Sequence, residues 1–333
     1  MDGLLVRSAE ELFTRHATSE AVRAIRAGGS PTLLWGEIEA SGFLDALMPE
    51  DTGGAGLGPA EALPLLLAAG RFAVPLPIGD TMLARAALAA AGEAAPEGAI
   101  ALGEPAGDSA ARLPPGCHAD WVLLSRGSAA VLLPIADATP DADASSPLAN
   151  VLRWPNHAGR PLPAADVLAA GAWSEAAIMA GAMERILEDT VRHARDRQQF
   201  GRPIAAFQAV QQQLSVLTED VFASRMAAQL ASVPDGEGIA GLNPARIAAA
   251  KLRIGEASVR AAVIAHAVHG AMGITEELDL HLLTSLLRIG RMRFGGEAHW
   301  AAWLGRHYLA GDATETLAFV RAHLGPVAPE ATP

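Results

Sequence analysis

Residues 197–204 read Arg197-Gln198-Gln199-Phe200-Gly201-Arg202-Pro203-Ile204, and Phe207-Gln208 and Gln211-Gln212-Gln213 follow closely. The stretch separates two apolar-periodic runs. Before it, Ile178, Met179, Ala182, Met183, Ile186, Leu187 and Val191 recur at helical spacing. After it, Val210, Leu214, Leu217, Val221 and Ala228 do the same. Gly201 permits backbone angles that other residues avoid, and Pro203 cannot continue a helix. The spacing predicts a helical hairpin with an arginine, an aromatic ring and several amides at its corner. An arginine fork suits a phosphate, and glutamine amides can bond the edge of a heterocycle. The plainer alternative is a helical corner whose Arg197 meets a nearby carboxylate.

Composition bounds the rest. A chain of 333 residues can bury a large core and divide into two or three domains. Half the residues are hydrophobic, with alanine dominant, which favours close-packed helices. The net charge of −12 argues against nucleic acid, which needs a basic footprint. Cys117 is the one cysteine, so no internal disulfide forms and a reducing compartment fits. Asp2 and Glu10 lie where a signal peptide needs positive charge, and no apolar segment follows them. The apolar runs 63–69 and 86–91 are too short to span a bilayer. The chain is expected to be cytoplasmic, without a membrane partner.

Three regions differ in texture. Residues 1–95 read as an N-terminal helical domain. Ser8-Ala9-Glu10-Glu11 has the capping-box pattern, Ser19 can cap a second helix, and Ser30-Pro31 opens a third. Residues 49–58 form a glycine-rich loop; with no lysine after it and no strand before it, it reads as a tight interhelix connection rather than a phosphate cradle. Residues 60–69 and 80–91 are two more helices. Residues 96–170 read as a short, barrel-like β domain, with strands at 99–102, 121–124, 129–133 and 151–154 and a polar loop at 137–147. Residues 171–333 are helical again, the first helix starting at Ser174-Glu175. Asn243-Pro244 supplies a cap and a first-turn proline, and Gly270 and Gly273 stop that helix. Further helices are expected at 278–292, 298–309 and 313–324. The fold class is mainly α with a small β domain and a C-terminal antiparallel four-helix bundle.

The corner resembles the Arg-x-x-Phe-Gly…Phe-Gln signature of the acyl-CoA dehydrogenase family. Pro49-Glu50-Asp51-Thr52-Gly53-Gly54-Ala55-Gly56 resembles the family's Pro-Glu-x-x-Gly-Gly-x-Gly loop. His269-Gly270-Ala271-Met272-Gly273-Ile274-Thr275-Glu276-Glu277 resembles its Gly-Gly-x-Gly-Tyr-Thr-x-Glu turn. The three occur in family order and cover most of the chain; residues 96–170 match poorly. The resemblance is to a short, atypical member, similar to the small subunit of heteromeric acyl-CoA dehydrogenases.

That resemblance implies FAD, gripped across a subunit interface, and α,β-desaturation of an acyl-CoA. It assigns Arg197, Gln199 and Phe200 as the first cofactor contacts, Phe207 and Gln208 as the second, and His269, Gly270, Ala271 and Gly273 as the third. It also departs from the family. Ala267 and Ala271 stand where glutamine and glycine are usual, and the β domain lacks the Thr/Ser-rich flavin-contacting strand. The family's base is a Glu in a Tyr-Glu-Gly-Thr pattern. Here Phe294-Gly295-Gly296-Glu297 puts Gly295 at that place, and the alternative family site falls near Gly171. Glu297 and Glu175 are relocated candidates, or simply helix-start carboxylates. A second reading follows: a non-catalytic or half-site subunit that completes the FAD site of a longer homologue in a heterotetramer. The expected partners are an acyl-CoA, another copy or that homologue, and an electron acceptor. His266, His269, His281, His299 and His307 lack the neighbours a metal site wants, so no metal is expected.

Overall fold

Apolar residues at helical spacing, punctuated by glycine and proline, place the helices. The computed structural model describes residues 2–107, 109–126, 129–155, 159–163, 166–311 and 315–325. Helices α1 (Asp2–His16), α2 (Ser19–Arg26), α3 (Thr32–Ala40), α4 (Pro59–Arg71) and α5 (Ile78–Ala90) make the N-terminal part. The expected capping box at Ser8 is not one: α1 begins six residues earlier and carries Ser8 in its interior. Thr18, not Ser19, caps α2, its hydroxyl accepting the Ala21 N–H. The 49–58 loop is the tight connection its composition suggests: the N–H of Gly58 donates to the Glu61 carboxylate at 2.8 Å, and Gly54 lies directly on the Met48 backbone.

The central part is one seven-stranded sheet. Its strands are β1 (Ile100–Pro105), β2 (Ala110–Leu113), β3 (Trp121–Arg126), β4 (Ala129–Pro134), β5 (Thr139–Pro140), β6 (Asn150–Arg153) and β7 (Arg160–Leu162). The order is β5-β6-β2-β1-β3-β4-β7, antiparallel except for β1 beside β3. Alternation sends Ile100, Leu102, Leu123 and Leu132 onto the helices. The opposite face sends Ala101, Val122, Leu124, Val131 and Leu133 into a second core around Trp154. The strands at β2, β5 and β7 were not expected, and β5 falls within the predicted loop 137–147.

The C-terminal part holds α6 (Val167–Asp196), a two-stranded hairpin of β8 (Gln198–Gln199) and β9 (Arg202–Pro203), α7 (Gln208–Ala231), α8 (Pro244–His269), α9 (Leu280–Met292), α10 (Glu297–Ala310) and the short α11 (Thr316–Phe319). Helix α6 starts seven residues before Ser174, where Asp166 caps it by accepting the Ala169 N–H. Asn243 caps α8 with Pro244 in the first turn. Of the expected last helix, residues 313–314 lie outside the described residues. Helix α6 packs on α4, α7, α8 and α9, and α8 also carries α10. Where α4 crosses α6, Gly70 faces the carbonyl of Ile178 and Gly181 faces that of Leu67, so neither position has room for a side chain. Helix α8 is long and apolar enough to cross a bilayer by length and composition. Ile247, Ala250, Ile254, Ala257, Ala261 and Ala265 are instead buried in the helical core.

Candidate functional site

Helix α6 ends at Asp196 because Arg197 turns extended, while its N–H still donates to the His193 carbonyl at 2.9 Å. The chain then doubles back. Gln198 and Gln199 pair with Pro203 and Arg202, and Phe200 and Gly201 make the turn at φ +52° and +75°. Two consecutive left-handed residues form the two-residue hairpin that matches strand twist. A phenylalanine there is uncommon. The Phe200 ring is 91% exposed. It meets Phe207 edge-on at 6.0 Å, and the Arg202 guanidinium lies 4.2 Å over that same ring. Helix α7 begins at Gln208 with Phe207 as an N-cap that provides no side-chain acceptor. The Val210 and Gln211 N–H groups donate to the Phe207 carbonyl, which leaves those of Gln208 and Ala209 as the open ones. Arg197, Gln199 and Gln208 are exposed. Among the described residues Arg197 makes no ion pair, so the alternative of an Arg197–carboxylate corner is not realised.

The third motif arrives at the same place. Helix α8 ends at His269, and Gly270 breaks it at φ +60°, ψ −141°, with open space where a side chain would stand. Gly270 and Ala271 are exposed, and Gly273 is buried against the Cβ of His269. The His269 Nδ1 lies 2.8 Å from the Ala265 carbonyl, which fixes the ring as a donor on that side. Its ring stacks on His193 of α6 with centroids 4.3 Å apart. Thus the ends of α6 and α8, far apart in sequence, meet through two imidazoles. His193 escaped sequence reading, although it lies one turn before Arg197 on the same helix face.

Gly171 and Gly295, where the resemblance places the base, lie elsewhere, at the junction of α6 with the α9–α10 turn. A Cβ at Gly171 would stand 2.7 Å from three carbons of the Phe294 ring. Gly295 is at φ +88°, and a Cβ there would meet His299 at 2.7 Å and the Trp300 indole nitrogen at 3.0 Å. Gly171 is thus closed by the buried Phe294 ring, whereas a side chain at Gly295 would have to displace the exposed His299 ring; neither position carries a carboxylate. Glu297 opens α10, where its carboxylate accepts from Arg291 Nε and rests on Gly255. Glu175 is buried and accepts from Arg293 Nη1 at 2.7 Å. Arg293 Nη2 donates to Asp80 at 2.8 Å, and Asp80 also accepts the Leu102 N–H at 3.0 Å. Burial opposes the Arg293 charge, but Asp80 and Glu175 outweigh it and raise its pKa. Beside this triad, burial lifts the Glu104 carboxyl above the usual range. Burial also pushes Lys251 down to about 8. Lys251 Nζ is satisfied by the Gly290 carbonyl at 2.5 Å. Among the described residues no group of three or more His, Cys, Asp or Glu is placed to hold a metal ion.

A profile described as "Acyl-CoA dehydrogenase, C-terminal domain" matches residues 163–301, which span the corner, the His269 turn and Gly295. The acyl-CoA dehydrogenase IpdE2 of Mycobacterium tuberculosis is 32% identical over 289 residues, covering 84% of this chain and 88% of its own. The chain belongs to the acyl-CoA dehydrogenase family. The fold agrees. The structure titled as the ChsE4–ChsE5 complex of Mycobacterium tuberculosis superposes with a TM-score of 0.78 at 23% identity, over 94% of this chain and 98% of that one. The structure titled "PigA with FAD and proline" gives 0.72 at 19% identity, over 92% and 97%.

Proposed function

We propose that the chain serves FAD-dependent α,β-desaturation of an acyl-CoA thioester, with Arg197, Gln199, Phe200, Phe207, Gln208, His269, Gly270, Ala271 and Gly273 as its FAD-gripping surface. The observation that carries this is the convergence of an unpaired Arg197, the open α7 N-terminus and the bare Gly270 turn. An exposed cation, free N–H groups and an unshielded backbone together suit an anionic diphosphate. Phe200 offers a ring face, and the glutamines offer amides to a heterocycle edge. Bound there, FAD supplies the acceptor for a hydride leaving the thioester β carbon. The residues of this chain bind and orient it. Arg197→Ala tests the reading. Loss of a charge-assisted contact of about 1.5–3 kcal/mol weakens FAD retention by roughly ten- to a hundredfold. Unchanged flavin content after dialysis rules the role out.

A second reading, the half-site subunit, is favoured by one observation: both expected base positions are glycines, and at Gly171 the buried Phe294 ring leaves no room for a side chain. Removing an α proton needs a positioned carboxylate. Glu297 is the candidate for a catalytic chain, and it must first leave Arg291. In the half-site reading a longer homologue supplies base and flavin-ring pocket, and this chain supplies the diphosphate grip. The exposed Phe222 and Met226 on α7 and Val259 and Val263 on α8 give an apolar face for such an assembly. Assaying the lone, FAD-loaded protein on a panel of acyl-CoAs beside Glu297→Gln separates the readings. Turnover abolished by Glu297→Gln makes this chain the enzyme and Glu297 its base. No turnover, restored by a longer homologue, supports the half-site.

A further inference from the structure

Phe294 is 1% exposed, yet it sits at φ +52°, which non-glycine residues rarely adopt. Strained backbone of this kind persists only where the surroundings hold it. Here two contacts do so. The Phe294 carbonyl accepts from the Trp300 indole at 3.0 Å. Its ring lies 4.5 Å beneath the Arg293 guanidinium, which is itself anchored on Asp80 and Glu175. The effect is to press the ring onto the α6 backbone at Gly171, so closely that glycine alone fits there. The ring alone fills the space above Gly171; a smaller residue at 294 would leave that space open.

We infer that Phe294 is a steric block: its ring occupies the space over Gly171 where an acyl chain would meet a base, so this chain excludes the acyl part of a CoA thioester from its own α6–α9 junction. The inference rests on the proposed acyl-CoA reading and sharpens the half-site version of it. The substrate's acyl group is then housed by the partner.

The test measures binding of acetyl-, butyryl- and hexanoyl-CoA to the FAD-loaded full chain by titration calorimetry. Wild type is expected to bind all three within about twofold, because no acyl methylene is buried. Phe294→Gly removes the ring and suits the left-handed backbone. It is expected to gain roughly fourfold in affinity per added methylene, the value of burying one CH₂. Phe294→Leu keeps the site filled in part, guards against loss of fold, and is expected to lie between. A chain-length dependence already present in wild type overturns the block. So does a flat response in both variants, or failure of every form to bind any of the esters. The parent reading fails separately: turnover by the lone wild type sinks the half-site, whereas a chain-length dependence of wild type without turnover sinks only the block.

Discussion

The His193 and His269 rings stack 4.3 Å apart and join the last turn of α6 to the last turn of α8. Each helix ends at a motif of the proposed FAD grip, so the stack sets the spacing between Arg197 and Gly270. Burial, then the neighbouring His269 and Arg197, hold His193 below its ordinary value of 6.5, with Asp196 opposing. A depressed histidine binds fewer protons folded than unfolded. Its contribution is present above about pH 6.5 and is lost as the pH falls toward the folded value. The thermal midpoint should therefore drop on acidification, and His193→Gln should drop less. Equal acid sensitivity of the two proteins would show that the stack does not titrate as described.

Lys251 reports on the buried cluster from the other end of the scale. Burial brings it to about 8 from 10.5, against Glu175, Glu104 and Glu297 and helped by Arg293. Between those values the unfolded chain holds a proton that the folded chain has released, so stability rises with pH across that window. Lys251→Met keeps the volume and removes the proton. Its urea midpoint should stay level where wild type climbs. A parallel climb in the variant assigns the pH dependence to other groups.

Gly181 and Gly70 make a different demand, on packing. Each faces a carbonyl of the opposite helix where α4 crosses α6. Gly181→Ala forces the helices apart and should cost about 1–3 kcal/mol. Alanine elsewhere in an exposed helix interior would gain stability over glycine, so the sign of the change is the test. A stabilised Gly181→Ala would mean the crossing is looser than described.

The apolar face of α7 and α8 predicts an assembly. Phe222 and Met226 are exposed by 65% and 64%, and Val263 by 64%. Covering them with another subunit removes this surface from water. Phe222→Glu with Met226→Glu should lower the mass seen by light scattering at micromolar concentration. Wild type that is monomeric with FAD present would refute an assembly of like chains.

Much of this architecture is legible in the residues, and what is not has physical reasons. The corner at Arg197 is punctuated by Gly201 and Pro203, and Asn243-Pro244 is a local cap, so both read correctly from short range. The α6 start was missed because residues 167–173 are nearly all small and apolar, giving no contrast until Ser174. Strands β2, β5 and β7 are two to four residues long, too short to establish an alternation. The site divides in the same way. Its exposed motif residues could be marked by type and spacing. The contact of Phe294 with Gly171, and the ion pairs of Glu175 and Glu297, join segments that only the tertiary fold brings together.

Arg293 carries the last prediction. Its fork spans Asp80 on α5 and Glu175 on α6, both buried, at 2.8 and 2.7 Å. Arg293→Met removes the cation and leaves two carboxylates without it. Breaking a buried pair by deleting one partner costs about 3–5 kcal/mol, mostly because the remaining charge is uncompensated. Adding Asp80→Asn and Glu175→Gln to Arg293→Met should restore more than either does alone. Arg293→Lys keeps the charge without the fork and should fall between. Chemical denaturation of this set separates charge from packing. If the triple variant is no more stable than Arg293→Met, the loss comes from the guanidinium's contact with Phe294 rather than from uncompensated charge.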